Sequence, residues 1–289
     1  MSIYSKLILD LDGTLYRGRN AIPGAIEAVQ QLRKSCSILF LSNNGNHNTS
    51  RLGRRLLGLG FDVGPGEVVC SLDLIVVAVN ELGAGLRLLT LSTGDLDGAL
   101  EESGHRIVRN APADVVIAGV DWEFTYQRLT CALRALRGGA VLIGANADAT
   151  YPTEEGPRPA AGVFVGAMRG MGFEPVRLCG KPDPWAMREA FRIRRFTADA
   201  DCLLVGDRID SDIHGAQAIG IDSALVLTGV TARAELDATE APPTYVLESI
   251  ADLPNLPSRR GRSADRRPLQ RNAIQDSPSS EPASGSQSV

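Results

Sequence analysis

The chain has 289 residues, of which 44% are hydrophobic and 22% charged, and a formal net charge of −4. These are the proportions of an ordinary globular protein, and they exclude collagen-like, coiled-coil and wholly disordered architectures. No apolar run approaches the ~18–20 residues of a membrane span, and Asp10 and Asp12 follow the first apolar run directly, where a signal peptide would stay apolar, so a cytoplasmic location is expected.

In chain order, Lys6–Leu11 is a short apolar run of buried-strand type. Pro23 and Gly24 open a helical pattern through Leu32, and Ser37–Ser42 is a second strand. Arg51–Leu59 is helical, Val68–Cys70 extended and Leu72–Leu82 helical. A strand at Leu86–Leu91, a helix near Leu96–Ser103 and a strand at Val115–Val120 follow. Next come a helix at Tyr126–Arg137, a strand at Ala140–Ala145 and helices at Ala160–Met171 and Pro184–Phe191. Cys202–Val205 reads as a buried strand, Ile213–Ile219 as a helix and Ser223–Leu227 as a strand. Strands alternating with helical segments of roughly 10–15 residues predict parallel sheets built from right-handed βαβ units, so the fold class is α/β.

The last 32 residues, Ser258 to Val289, carry six arginines and then a Ser/Pro/Gln-rich end. They hold too little apolar surface to offset the entropy of ordering and are expected to be a disordered tail. A basic arm for nucleic acid is the competing reading. The charge run is short and lacks interleaved aromatics, so no nucleic-acid partner is expected. Five widely spaced cysteines (Cys36, Cys70, Cys131, Cys179, Cys202) form no CxxC and read as buried free thiols. His47, His105 and His214 lack metal-ligand spacing, and Trp122 and Trp185 read as packing residues.

Chemistry concentrates at strand ends. Asp10-Leu11-Asp12-Gly13-Thr14 follows the first strand, and ligands of doubly wound sheets bind beyond the carboxyl ends of strands. Gly206-Asp207-Arg208-Ile209-Asp210-Ser211-Asp212 follows a later strand in the same way, with Asp212 placed to cap a helix beginning at Ile213. Two such clusters would make an oxygen-rich site suited to Mg²⁺. Taken alone, each is also compatible with a strand-end turn carrying solvated acids. Ser42-Asn43-Asn44-Gly45 closes the second strand in a turn whose hydroxyl and N–H groups can hold anionic oxygens. Lys181, in Gly180-Lys181-Pro182, is one of only three lysines against 27 arginines. There is no GxxxxGK[ST] and no GxSxG, which removes the P-loop and α/β-hydrolase readings.

In order, residues 10–14, 41–44, 180–182 and 206–212 resemble the four motifs of the haloacid dehalogenase superfamily, over roughly residues 4–255. The insertion between the second and third motifs, with ALRGGAVLIGANAD (135–148) and YPTEEG (151–156), resembles the NagD-like and 4-nitrophenylphosphatase branch with a large α/β cap. The resemblance implies a Rossmann-like doubly wound core of residues 1–80 and 180–257, and an α/β cap of residues 81–179 that chooses the substrate. It further implies a Mg²⁺-dependent phosphomonoesterase acting on a small phosphorylated metabolite, such as a sugar phosphate, glycerol phosphate, phosphoglycolate or nucleotide. Asp10 would be the nucleophile that forms an aspartyl-phosphate, and Asp12 the general acid and base. Asp10, the Asp12 carbonyl and Asp207 would hold the metal, while Ser42, Asn43 and Lys181 hold phosphate. Asp212 would orient Lys181 or support the metal shell, and a homo-oligomer formed through the cap is a further implication. Relatives carry Asn-Pro before the cap aspartate, whereas this chain has Ala145-Asn146-Ala147-Asp148, so Asp148, Tyr151 and Glu154 stand as specificity candidates. A phosphotransferase or mutase of the same superfamily, and a non-catalytic phosphate-binding protein, are the alternatives.

Overall fold

The computed structural model describes residues 4–239 and 242–256; the expected tail at 258–289 lies outside the described residues. The strands are β1 (Lys6–Leu9), β2 (Tyr16–Arg17), β3 (Asn20–Ala21), β4 (Ser37–Ser42), β5 (Val68–Cys70), β6 (Arg87–Leu91), β7 (Arg106–Ile107) and β8 (Val115–Ala118). They continue with β9 (Val141–Gly144), β10 (Thr150–Thr153), β11 (Gly156–Pro159), β12 (Arg177–Leu178), β13 (Cys202–Gly206), β14 (Asp222–Val226) and β15 (Tyr245–Leu247). Helices are α1 (Ala25–Leu32), α2 (Thr49–Gly58), α3 (Ser71–Leu82), α4 (Leu96–Glu102), α5 (Tyr126–Arg137), α6 (Ala161–Gly170), α7 (Pro184–Arg194) and α8 (His214–Ala218).

Among the described residues, a parallel six-stranded sheet runs β15-β14-β13-β1-β4-β5. The chain builds outward from β1 through β4 and β5 on one side, then returns to build β13, β14 and β15 on the other. The strand order therefore switches at β1, where a crevice opens beyond the strand ends. A second parallel sheet, β12-β9-β8-β6-β7, comes entirely from residues 87–178, inserted between β5 and β13. The α/β architecture expected from the alternation is what the chain adopts.

The central strands are apolar throughout because parallel strands are covered on both faces. Leu7, Ile8 and Leu9 of β1, Leu39 and Phe40 of β4 and Leu203, Leu204 and Val205 of β13 are all buried. All five cysteines are buried and free, as their spacing predicts. Helix α2 starts earlier than the apolar period suggests, because the Asn48 side chain caps it by accepting from the Arg51 N–H at 2.9 Å. Two hairpins have no counterpart in the sequence reading: β2–β3 and β10–β11, each antiparallel.

The acidic run after β13 departs from expectation. Asp212 does not cap a helix starting at Ile213. A single π-helical turn, Ile209–Ile213, begins right after Arg208 and leads into α8. One oxygen of Asp212 accepts the Arg208 N–H at 3.1 Å, while the other is held by Lys181. The wide turn is what brings Asp212 inward, in keeping with the tendency of π turns to mark functional sites.

At the amino-terminal ends of β6 and β8, Arg87 and Asp114 form a two-pronged pair at 2.7 and 3.1 Å, which holds the Asp114 carboxyl down at about 2. A depressed carboxyl adds stability above its unfolded value near 3.8 and loses it as pH falls toward 2. Asp114→Asn should therefore lower the melting temperature slightly at pH 7, as expected of a solvent-screened pair. The gap to wild type should close between about pH 4 and pH 2 in thermal melts.

Candidate active site

The carboxyl end of β1 delivers Asp10 and Asp12, that of β4 delivers Ser42 and Asn43, and that of β13 delivers Asp207. Lys181 arrives from the segment before α7. All six line one cleft of about 1060 Å³, open mouth included. The sequence thus places these candidates together, and Asp148 and Tyr151 of the insert also line the cleft.

The Lys181 ammonium is buried and makes three hydrogen bonds: to Asp10 Oδ1 at 2.6 Å, to Asp212 Oδ1 at 2.7 Å and to the Leu41 carbonyl at 3.0 Å. These use all three of its donors. Burial works against its charge, but the two carboxylates outweigh that and push its pKa up. Burial raises Asp10 and Asp212, the latter to about 6, while Lys181 opposes both shifts. Asp207 is raised further by burial and by the charges of Asp10 and Asp212.

Asp12 stands apart from this group. Its Oδ2 accepts the Tyr16 hydroxyl at 3.1 Å, and the guanidinium of Arg55 lies over the Tyr16 ring, 4.2 Å from its centre. Burial raises the Asp12 carboxyl; the nearby Arg55 charge and the Tyr16 hydrogen bond pull it back.

Carboxylate oxygens of Asp10, Asp207 and Asp212 lie within 4.8 Å of one another. Asp212 spends both of its oxygens on Lys181 and the Arg208 N–H. Asp207 uses Oδ2 on the Val230 N–H at 2.7 Å, while its buried Oδ1 has no protein partner. A buried, unpartnered carboxylate oxygen facing a second carboxylate is a donor set that fits a hard divalent cation. Close backbone approach makes room for it. A Cβ on Gly229 would stand 1.8 Å from Asp207 Oδ2, and one on Gly13, whose φ is +88°, would stand 2.4 Å from the same atom.

Asparagine side chains tie the motifs to the insert. Asn43 donates to Asp148 and to the Lys181 carbonyl, both at 3.0 Å, and accepts the Lys181 N–H at 2.8 Å. Asn146 donates to the Asn43 carbonyl at 2.6 Å, and Asn46 donates to the carbonyls of Thr93 and Val120. Ser42 Oγ accepts the Asn44 N–H, fixing the turn. Arg208 Nη1 donates to the Thr150 carbonyl at 3.0 Å, and the same guanidinium pairs with Asp210. Glu154 does not line the cleft; its carboxylate accepts the Arg19 N–H at 2.9 Å.

Asn46, Asn146, Arg208, Tyr16 and Arg55 were not among the sequence candidates. Two of them carried a signal: Arg208 by lying within the acidic motif, and Asn146 by standing two residues before Asp148 in the Ala145–Asp148 stretch. Trp122 corrects an expectation: it is not a packing residue but 60% exposed, and it lines the cleft. Trp185 is partly buried against the core, with the Arg177 guanidinium over its ring.

Residues 7–106 match the family model described as haloacid dehalogenase-like hydrolase, and residues 178–253 match one described as HAD-hydrolase-like. The chain is 36% identical over 255 residues to a D-glycerol 3-phosphate phosphatase of Mycobacterium tuberculosis, covering 86% of this chain and 70% of that relative. It is 30% identical to an acid sugar phosphatase of Staphylococcus saprophyticus, covering 88% and 98%. Among solved structures, a glycerol phosphate phosphatase from Mycobacterium tuberculosis in complex with magnesium superposes with a TM-score of 0.77 at 35% identity, over 87% of this chain and 76% of that one. No helix among the described residues is long and apolar enough to cross a membrane.

Gly229→Ala should displace the Asp207 carboxylate and weaken Mg²⁺ binding by about 10–100-fold, the scale of lost support around a metal ligand. Calorimetric titration with Mg²⁺ would measure it, and unchanged affinity would count against Asp207 as a ligand.

Proposed function

The chain belongs to the haloacid dehalogenase-like hydrolases, and from that premise we propose that it is a Mg²⁺-dependent phosphomonoesterase that hydrolyses a small phosphorylated metabolite through an aspartyl-phosphate on Asp10. The observation that carries this reading is the buried group of Asp10, Lys181, Asp212 and Asp207, with one Asp207 oxygen left for a cation. In this proposal residues 1–80 and 180–257 are the catalytic core and residues 81–179 the cap. The buried free thiols suit the reducing cytoplasm.

Asp10 and Asp207, with the Asp12 carbonyl, would hold Mg²⁺, which when bound neutralises charge between an anionic nucleophile and an anionic ester. Lys181 favours the charged form of Asp10 by hydrogen bonding to Oδ1. An Asp10 oxygen attacks phosphorus as the bond from phosphorus to the leaving oxygen breaks. Asp12, whose pKa burial raises, gives its proton to that oxygen. Tyr16 holds Asp12 Oδ2, so Oδ1 is the atom presented for transfer. Water then attacks the phosphoryl group, the bond to Asp10 breaks, and Asp12 takes the water's proton. Both carboxyls return to their starting states and inorganic phosphate leaves. Ser42 and the Asn43 N–H line the place where phosphoryl oxygens would rest.

Phosphate release from a panel of phosphomonoesters should require Mg²⁺, stop on chelation and be lost in Asp10→Asn with the fold retained by circular dichroism. Asp12→Asn should lower kcat by about 10²–10⁴-fold. Absence of turnover on every ester, with Mg²⁺ present and the protein folded, would overturn the reading.

A further inference from the structure

The cleft has two chemistries. Four aspartates and Lys181 are among its lining residues, and so are Val120, Trp122, Tyr151 and Pro152, which bring apolar surface. Trp122 is the unusual member. A large aromatic side chain gains stability by leaving water, yet this one is 60% exposed. Its neighbour Phe124 packs edge-on against Phe164 at 5.3 Å, so the segment has a place for an aromatic and Trp122 does not use it. Instead the indole meets the His47 ring edge-on, with centroids 6.3 Å apart. His47 belongs to the loop after β4 and Trp122 to the insert, so the pair bridges the two sheets' loops at the cleft. His47 Nδ1 is buried with no hydrogen-bond partner. Burial and the charge of Arg51 lower the His47 pKa.

Resting on the phosphatase reading above, we propose that Trp122, with His47 beside it, is a specificity-determining residue for the leaving group, and that the preferred ester carries a ring with an apolar face that stacks on the indole. A nucleobase or aryl ring and a sugar ring share this chemistry. An acyclic three-carbon leaving group lacks a face that covers an indole. Since Nδ1 is buried, it is Nε2 of His47, a residue that also lines the cleft, that would offer a polar contact beside the stack for a ring hydroxyl or amine.

The test compares kcat/KM for adenosine 5′-monophosphate, glucose 6-phosphate and glycerol 3-phosphate in wild type, Trp122→Ala and Trp122→Phe. In Trp122→Ala the ratio of a ring ester to glycerol 3-phosphate should fall about tenfold, the scale of an aromatic stack, and Trp122→Phe should recover much of it. A fall confined to the nucleotide or to the sugar phosphate names the ring. An unchanged ratio, or an equal loss on all three esters, overturns the proposal. A second arm needs no turnover. The chain has two tryptophans, so Trp185→Phe leaves Trp122 as the single reporter. With Mg²⁺ present, the ring esters should shield it from acrylamide quenching more than glycerol 3-phosphate does. Failure of all hydrolysis with shielding intact would overturn the phosphatase reading alone; equal or absent shielding would overturn the role of Trp122.

Discussion

A single buried ammonium reconciles the acids at the sheet's edge. Asp10, Asp207 and Asp212 are each less than a tenth exposed and sit within one cluster, an arrangement that like charges oppose. Lys181 answers two of them directly. Removing one partner of such a buried pair typically costs about 3–5 kcal/mol, because the other is left uncompensated in low dielectric. The third acid, Asp207, is beyond its reach and keeps an oxygen without a protein partner. With all three acids ionised, Lys181 offsets one of their charges, and the two that remain match a divalent cation.

That arrangement constrains the backbone around it. β1, β4 and β13 must be adjacent and parallel for their ends to share one crevice, and their order in the sheet makes them so. Lys181 must come back past the whole insert to reach Asp10, 171 residues away in sequence. Asn43 then fastens both peptide groups that flank the lysine, with its amide oxygen on the Lys181 N–H and its amide nitrogen on the Lys181 carbonyl. The same amide nitrogen reaches Asp148, so one side chain aligns the β4 loop, the lysine and the insert.

Much of this was legible because parallel strands announce themselves. Apolar runs such as Ser37–Ser42 and Val68–Cys70 have the observed boundaries, and the acids that follow β1 and β13 mark where apolar burial ends. What escaped depends on long-range pairing or on competition between partners. The hairpins β2–β3 and β10–β11 are too short to show a period, and β11 is rich in proline and glycine. Asp212 follows the ordinary pattern of a helix cap until Lys181, distant in sequence, claims its carboxylate. Asn46 and Asn146 look like loop asparagines, because nothing local reveals which carbonyls they satisfy. Trp122 reads as core by residue type alone, and only its surroundings reveal that it faces the cleft.

The β10–β11 hairpin is fastened at two points. Glu154 at its turn accepts the Arg19 N–H, and the Thr150 carbonyl at its base accepts from Arg208. Arg19 lies in the turn just beyond Tyr16, which holds Asp12, and Arg208 directly follows Asp207. Each fastening therefore ends beside a group on which the chemistry depends. A bound molecule that shifted the hairpin would pull on both fastenings, and so on the segments that carry Asp12 and Asp207. Discrimination between esters can then be exercised on the rate of the bound complex as well as on the strength of binding, so that a poor fit is held but turned over slowly.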